Sequence, residues 1–365
     1  LYDAVLYTVG AQTDRRLGIP GEDLPGSWPA TAFVAWYNGH PDFQELAFDL
    51  RTERVVVIGN GNVAIDCARM LALTEEELAP TDTIDPASAA IVASPVREIL
   101  MLGRRGPVQA AFTPPELKEL GELAGAEPVV DPRDLELDPA SERELEADRE
   151  RARRNFDLLQ EYARRAPAGK PRRIVLRFLV SPVAILGEER VEGVEVVRNE
   201  LVEEGGRIAA RPTGKTEVIP CGLVLRSVGY KGVALPGVPF DERTGTIPNS
   251  GGRVEGAERT YVAGWIKRGP SGVIGTNKKD AAETVEALLA DARAGRLACV
   301  DSTQSLEDLL DHKGVSYVEY EGWRAIDAAE RAAGEPRSRP RVKLTSWEEL
   351  LATGCNPGEL ASRRD

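Results

Sequence analysis

The stretch that most constrains this chain is RVVVIGNGNVAIDCARMLAL, residues 54–73. Val55 to Ile58 form an unbroken apolar run, the pattern of a parallel strand buried on both faces. Gly59, Gly61 and Ala64 follow in the spacing G-x-G-x-x-[GA], and Ile65, Ala68, Arg69 and Leu71 then recur at helical intervals. The first glycine permits a tight turn. The second lets backbone approach a pyrophosphate, and the small third residue lets helix and strand pack closely. The N-terminus of that helix would then face the phosphates. The same spacing also serves a bare βα turn, but its place between a strand and a helix favours a dinucleotide.

The next strand indicates which dinucleotide. A threonine- and proline-rich interruption (74–95) delays it, as an excursion after the first helix would. In VREILMLGRRG, Ile99 to Leu102 form the strand and Arg104 and Arg105 follow. An acidic residue here suits the ribose 2′-hydroxyl of NAD, whereas arginines suit the 2′-phosphate of NADP through charge-assisted bonds. A solvated basic turn is the plainer alternative.

A third stretch, TYVAGWIKRGPSGVIGTNKKDAAETVEALLA (260–290), reads as a short strand at Tyr261 to Ala263, a glycine-rich turn and a helix from about Ser271. Ala281, Val285 and Leu288 mark one side of that helix. The amides of Gly272, Val273 and Ile274 would crowd its start. AVLYTVGAQ (4–12) and GLVLRSVGYKG (222–232) share a form, an apolar strand running into a glycine exit, and flank the glycine-turn unit like two crossings between a host and an inserted domain. Val5 to Tyr7 read as a buried strand.

The remaining features set bounds. The formal net charge of −13 argues against nucleic acid as a general partner. No apolar run is long enough to span a bilayer, and no signal peptide is visible. Cys67, Cys221, Cys299 and Cys355 form no C-x-x-C pair, so neither a dithiol centre nor a cysteine-ligated metal is signalled, and a reducing, cytoplasmic setting follows. His40 and His312 are the only histidines. Residues 141–173 read as one long, mostly solvated helix leading into a single strand, RIVLRFLVSPVAIL. Its Arg153, Arg154, Arg164 and Arg165 either steer an acidic partner or form intrahelical pairs. VEGVEVVRNEL and RIAARPTGKTEVIPCGLVLRS read as a β-meander.

Taken in order, GIPGEDLPGS (18–27), AFVAWYNGHPDF (32–43), GNGNVAIDCARML (59–71), LGRRGPVQAAFTPPELKEL (102–120), VAGWIKRGPSGVIGTNKKDA (262–281) and YEGWRAIDAAE (320–330) resemble the ferredoxin–NADP reductases of the adrenodoxin-reductase type. These belong to the two-dinucleotide-binding flavoproteins. Thr8 departs from the alanine common in the family at that position. The resemblance implies an α/β fold of two Rossmann-like domains: 1–13 the last FAD-domain strand and first crossing, 14–229 an inserted NADP domain, and 230–365 the rest of the FAD domain with a tail packed on it. It also implies that the family's first βαβ unit, which holds the FAD pyrophosphate, precedes Leu1.

The implied activity is hydride transfer from NADPH to FAD, then single electrons to a ferredoxin-type iron–sulfur protein. An NADPH-input subunit like the small subunit of glutamate synthase and a degenerate NADP-binding module are the alternatives. By the same resemblance Gly59, Gly61, Asn62, Val63 and Ala64 hold the NADP pyrophosphate, and Arg104 and Arg105 grip the 2′-phosphate. Glu116 contacts the nicotinamide half. Trp265, Gly272, Val273 and Ile274 line the flavin, and Glu119 joins the proton network. Locally, Glu116 and Glu119 also read as acids on a helix capped by Thr113 and Pro114.

Overall fold

A computed structural model describes residues 1–272, 274–297 and 304–355; the side chains of Arg207 and Ile274 lie outside that description. The chain divides into two compact units. One comprises Leu1–Arg15, Gly229–Val318 and the stretch from Cys355, and the other Arg16–Val228 with Glu319–Gly354.

The larger unit is built on a six-stranded parallel sheet, in the order Ser27–Pro29, Leu223–Arg226, Arg54–Ile58, Glu98–Leu102, Arg172–Arg177 and Ala126–Val130. The apolar run 55–58 is central to it, with Val56 in register with Leu100 on one side and Val224 on the other. Its side chains alternate between two cores. Val55 and Val57 pack with Phe33, Ile65, Ala68 and Leu71, whereas Val56 and Ile58 pack with Val180, Val194 and Val196. Helices therefore cover one face, and a three-stranded antiparallel meander (Val180–Leu186, Gly193–Glu204, Arg207–Pro220) covers the other. Both faces are dry, which is why the strand reads as a continuous apolar run rather than an alternating one.

Several expectations are corrected here. RIVLRFLVSPVAIL is two strands, Arg172–Arg177 in the parallel sheet and Val180–Leu186 in the meander. The chain changes sheet at Leu179, whose φ of 57° makes the corner. Leu223–Arg226 likewise belongs to the parallel sheet and not to the meander. The charged stretch is two helices, Pro139–Ala147 and Arg151–Arg164, broken where the Asp148 carboxylate accepts the Arg151 N–H at 2.9 Å. The second is anchored by Ala152, Asn155, Phe156, Leu159 and Tyr162, all buried. The interruption at 74–95 is an excursion containing the helices Glu75–Leu78 and Asp85–Ala93.

The tail is also corrected. Glu319–Gly354 groups with the larger unit, not with the unit containing Gly229–Val318. Arg339 donates to the carbonyls of Thr81 and Thr83 and pairs with Asp85, Lys343 pairs with Asp82, and the Trp347 indole donates to Asp42. Thr81, Asp82, Thr83 and Asp85 lie in the excursion, and Asp42 lies outside it.

The smaller unit holds a four-stranded sheet ordered Val5–Tyr7, Thr260–Val262, Arg253–Val254, Asn249–Ser250. Val5–Tyr7 pairs in parallel with Thr260–Val262, but Val5 and Leu6 are exposed, because the strand lies at the edge of this sheet. The helix there is Ile274–Arg293, and its inward face is polar. Asp280, Thr284 and Asp291 are buried whereas Val285 is exposed, the reverse of the apolar side expected. Asp291 accepts from Arg253, Arg296 and the Tyr261 hydroxyl, and these three partners hold its carboxyl well below the usual carboxylate range. A depressed folded-state pKa stabilises above the ordinary aspartate pKa of about 3.9 and is lost as pH falls through the folded value. Asp291→Asn is therefore expected to lower the melting temperature at pH 7. It is also expected to flatten the acid limb of the stability profile below about pH 4, as read by melts across pH. Among the described residues no helix is long and apolar enough to cross a membrane.

Candidate functional site

The glycine turn forms at the carboxyl end of Arg54–Ile58, where open parallel sheets place ligands. The Gly59 N–H donates to Leu102 O at 2.9 Å, and Ser227 N–H donates to Ile58 O at 2.8 Å, so the turn is held between both neighbouring strands. Gly59 has φ 138°, and a Cβ there would fall 2.0 Å from Ser227 O. Gly61 differs. It precedes the helix Asn62–Ala72 in extended backbone, φ −109°, and a Cβ would meet nothing within 4 Å. The first glycine is thus demanded by the fold, whereas the second leaves open space at an uncapped helix start. Ala64 is fully buried at the helix–strand contact. Asn60 lies against Gly103, with its Oδ1 buried and without a partner. Asn62 turns its Oδ1 to the Thr113 N–H at 2.9 Å. Thr113 stands at the N-cap of the helix Pro114–Leu120 with Pro114 after it, as expected, but its side chain makes no capping bond, and the Asn62 bond ties its backbone instead.

Arg104 and Arg105 leave the next strand of the sheet side by side. Among the described residues neither forms an ion pair with a carboxylate. Partial burial, then the guanidinium of Arg104 and that of Arg151, lower the pKa of Arg105, with Glu144 opposing. Two neighbouring guanidinium groups without a partner carboxylate have the chemistry that suits a phosphate dianion.

Between the helices Asn62–Ala72 and Pro114–Leu120 lies a charged cluster that contains both expected acids. Glu119 is about half exposed and pairs with Arg69 at 2.5 Å, and Arg69 also reaches Asp66 at 3.6 Å. Glu116 Oε2 and Arg69 Nε are buried without partners. Burial, against the pull of Arg69 and with Glu116 and Glu119 adding to it, pushes the Asp66 carboxyl up. Sequence reasoning passed over Asp66, although it stands in the quoted string GNGNVAIDCARML, four residues after Asn62 on the same helix face. A carboxyl raised on folding stabilises below its ordinary pKa and costs stability as pH rises through the folded value. Asp66→Asn is thus expected to stabilise the protein at neutral pH by less than about 1 kcal/mol after solvent screening, read as a higher melting temperature, with the gain vanishing below about pH 4.

In the smaller unit Trp265 and Gly272 share the connection between Thr260–Val262 and Ile274–Arg293. A short helix, Trp265–Arg268, occupies the expected turn. Gly264 before it, φ 78° and ψ −150°, adopts backbone that only glycine takes readily, and its N–H donates to Asp280 at 2.5 Å. Lys267 pairs with the same carboxylate at 2.9 Å, both side chains being buried. The Trp265 indole N–H is buried without a partner, and its ring lies 5.5 Å from that of Tyr230. Gly272 has φ 81°. Ile274 begins the helix, and Val273 lies outside the described residues. His40 accepts the Asp42 N–H and packs against Phe43 and Trp347, a structural role.

No family model matches the chain. It is 51% identical over 360 residues to the NADPH-ferredoxin reductase FprA of Mycobacterium tuberculosis, covering 97% of this chain and 78% of that protein. It is 39% identical over 376 residues to the mitochondrial NADPH:adrenodoxin oxidoreductase of Arabidopsis thaliana, covering 98% and 78%. The solved structure of M. tuberculosis FprA in complex with NADPH superposes with a TM-score of 0.92 at 49% identity, covering 97% of this chain and 79% of that one. Fold and site define an oxidoreductase of the two-dinucleotide-binding α/β class. Within that class the chain belongs to the family of NADPH-ferredoxin reductases that includes FprA and the adrenodoxin reductases.

Proposed function

We propose that this chain carries electrons between NADPH and a ferredoxin-type iron–sulfur protein through FAD. The observation that carries the reading is the open glycine turn at Gly61 together with the unpaired Arg104–Arg105 on the neighbouring strand end. The residue roles are part of this proposal. Gly59, Gly61, Asn62, Val63 and Ala64 receive the NADP pyrophosphate at the helix start, and Arg104 and Arg105 bind the 2′-phosphate. Glu116, with a buried unpartnered carboxylate oxygen, faces the nicotinamide half. Arg69 holds the Glu119 carboxylate in place, and Asp66, whose pKa burial raises, belongs to the same charged cluster.

Trp265, Gly272, Val273 and Ile274 form the flavin side. The unpartnered Trp265 indole N–H and the glycine-only backbone at Gly264 fit an aromatic ring system packed close to main chain. Bound FAD supplies the conversion of a two-electron donor's reducing power into single electrons. Asp280 keeps the Trp265 segment in place through Gly264 and Lys267.

Docking is not assigned to the arginine-rich helix. Arg153 pairs with Asp157 and Arg165 with Glu161 at i,i+4 spacing, which favours the solvated-face reading. A cytoplasmic setting is part of the proposal and is supported by Cys67, Cys221 and Cys355 being buried thiols outside any disulfide.

The test is anaerobic reduction of a 2Fe–2S ferredoxin, coupled to cytochrome c, by the protein supplied with FAD. Ferredoxin-dependent turnover with NADPH, and far less with NADH, is the expected result. Failure to retain flavin, or NADPH oxidation that never reaches ferredoxin, would sink it.

A further inference from the structure

The Arg104–Arg105 turn is not a free loop end, and the residue that fixes it lies far away in sequence. Asn199, on the meander strand Gly193–Glu204, is 3% exposed. Its Nδ2 donates to Arg104 O at 2.8 Å and contacts Ser181 Oγ at 2.8 Å. A carbonyl can only accept, so the Arg104 bond fixes which end of the amide faces the turn. The backbone completes the clamp. Leu179 N–H donates to Arg105 O at 3.0 Å, Val180 N–H donates to Gly103 O at 2.9 Å, and Asn199 N–H donates to Leu179 O at 2.7 Å. Leu179 does this with φ 57°, a strained conformation for a leucine, kept where surrounding bonds over-determine it. Gly103, Arg104 and Arg105 thus each give their carbonyl to one corner, where the chain passes from the parallel sheet to the meander.

We infer that Asn199 is a positioning residue for 2′-phosphate selectivity, acting through the Arg104 main chain on the guanidinium pair; this rests on the NADP reading above. Its amide touches no phosphate itself. Its work is to hold the Arg104 carbonyl so that two neighbouring guanidinium groups stay aimed at one anion instead of splaying into solvent. Selectivity between nucleotides with and without the 2′-phosphate then depends on a buried amide that sequence inspection places in an ordinary strand.

The test uses calorimetric binding of 2′,5′-ADP and of 5′-AMP, which lacks the 2′-phosphate, to the full protein and its variants. Asn199→Ala is expected to weaken 2′,5′-ADP by about tenfold, the scale of one lost hydrogen bond with a buried carbonyl left unpaired, and to leave 5′-AMP within about twofold. In an Arg104→Ala background the same substitution is expected to add almost nothing, because its route runs through Arg104. If Asn199→Ala does not fold, the isosteric Asn199→Asp, which replaces the donor by an acceptor, is read in its place with the same expectations. Equal losses for both nucleotides, an unchanged 2′,5′-ADP affinity, or a full-sized loss persisting without Arg104 would overturn the inference. If Arg104→Ala alone leaves 2′,5′-ADP binding unchanged, the 2′-phosphate reading fails as well; if Arg104→Ala weakens it and Asn199→Ala does not, only the positioning role fails.

Discussion

Arg104→Ala is expected to lower kcat/KM for NADPH by about 10- to 100-fold while leaving the value for NADH nearly unchanged. Only NADPH carries the 2′-phosphate, and a charge-assisted contact to it is worth roughly 1.5–3 kcal/mol. The structure sharpens this expectation. Arg104 has no carboxylate partner among the described residues, so its removal breaks no ion pair within the protein. It also relieves Arg105 of a neighbouring positive charge, so the melting temperature should hold or rise. Steady-state kinetics with both nucleotides and a thermal melt read the two effects separately. Equal losses for NADPH and NADH would remove the 2′-phosphate assignment.

The two glycines of the turn are expected to fail in different ways when replaced by alanine. Gly59→Ala puts a methyl 2.0 Å from Ser227 O, at a φ of 138° that L residues rarely adopt. A loss of stability of about 3 kcal/mol or more is expected, because the clash is with main chain in the middle of a sheet and cannot relax cheaply. Gly61→Ala meets nothing within 4 Å and has ordinary extended backbone. Its stability should change by less than about 1 kcal/mol, the scale of an N-cap substitution. Its NADPH affinity should nevertheless fall by on the order of tenfold or more, because the second glycine of such a turn exists to let pyrophosphate approach main chain. Melts and nucleotide titrations of the pair decide the matter. A stable Gly61→Ala protein with undiminished NADPH affinity would show that no pyrophosphate sits there.

What the sequence by itself determined was the local grammar of the nucleotide unit. The run Val55–Ile58, the turn at Gly59 and Gly61, the small Ala64 and the arginines after Leu102 are each specified by neighbours within a few residues. Their spacing is enough to assign a parallel strand, a turn and a helix start, because those elements are set by backbone conformation and by burial on both faces. The order of the quoted motifs along the chain carried the family for the same reason.

Only the tertiary structure decided the rest. Asp66 gains its raised pKa from burial, with Glu116 and Glu119 on another helix adding to it, and Arg104 is held by Asn199, 95 positions away. RIVLRFLVSPVAIL is uniformly apolar enough to read as one strand, and its division at Leu179 arises from hydrogen bonds to Gly103 and Arg105. The polar inner face of Ile274–Arg293 runs against hydrophobic periodicity because Asp280, Thr284 and Asp291 are buried as bonded partners of Gly264, Lys267, Val262, Arg253 and Tyr261. In each case the deciding interaction is a polar bond between distant segments. Apolar periodicity records which face is buried, but it does not record which donor meets which acceptor once the segments come together.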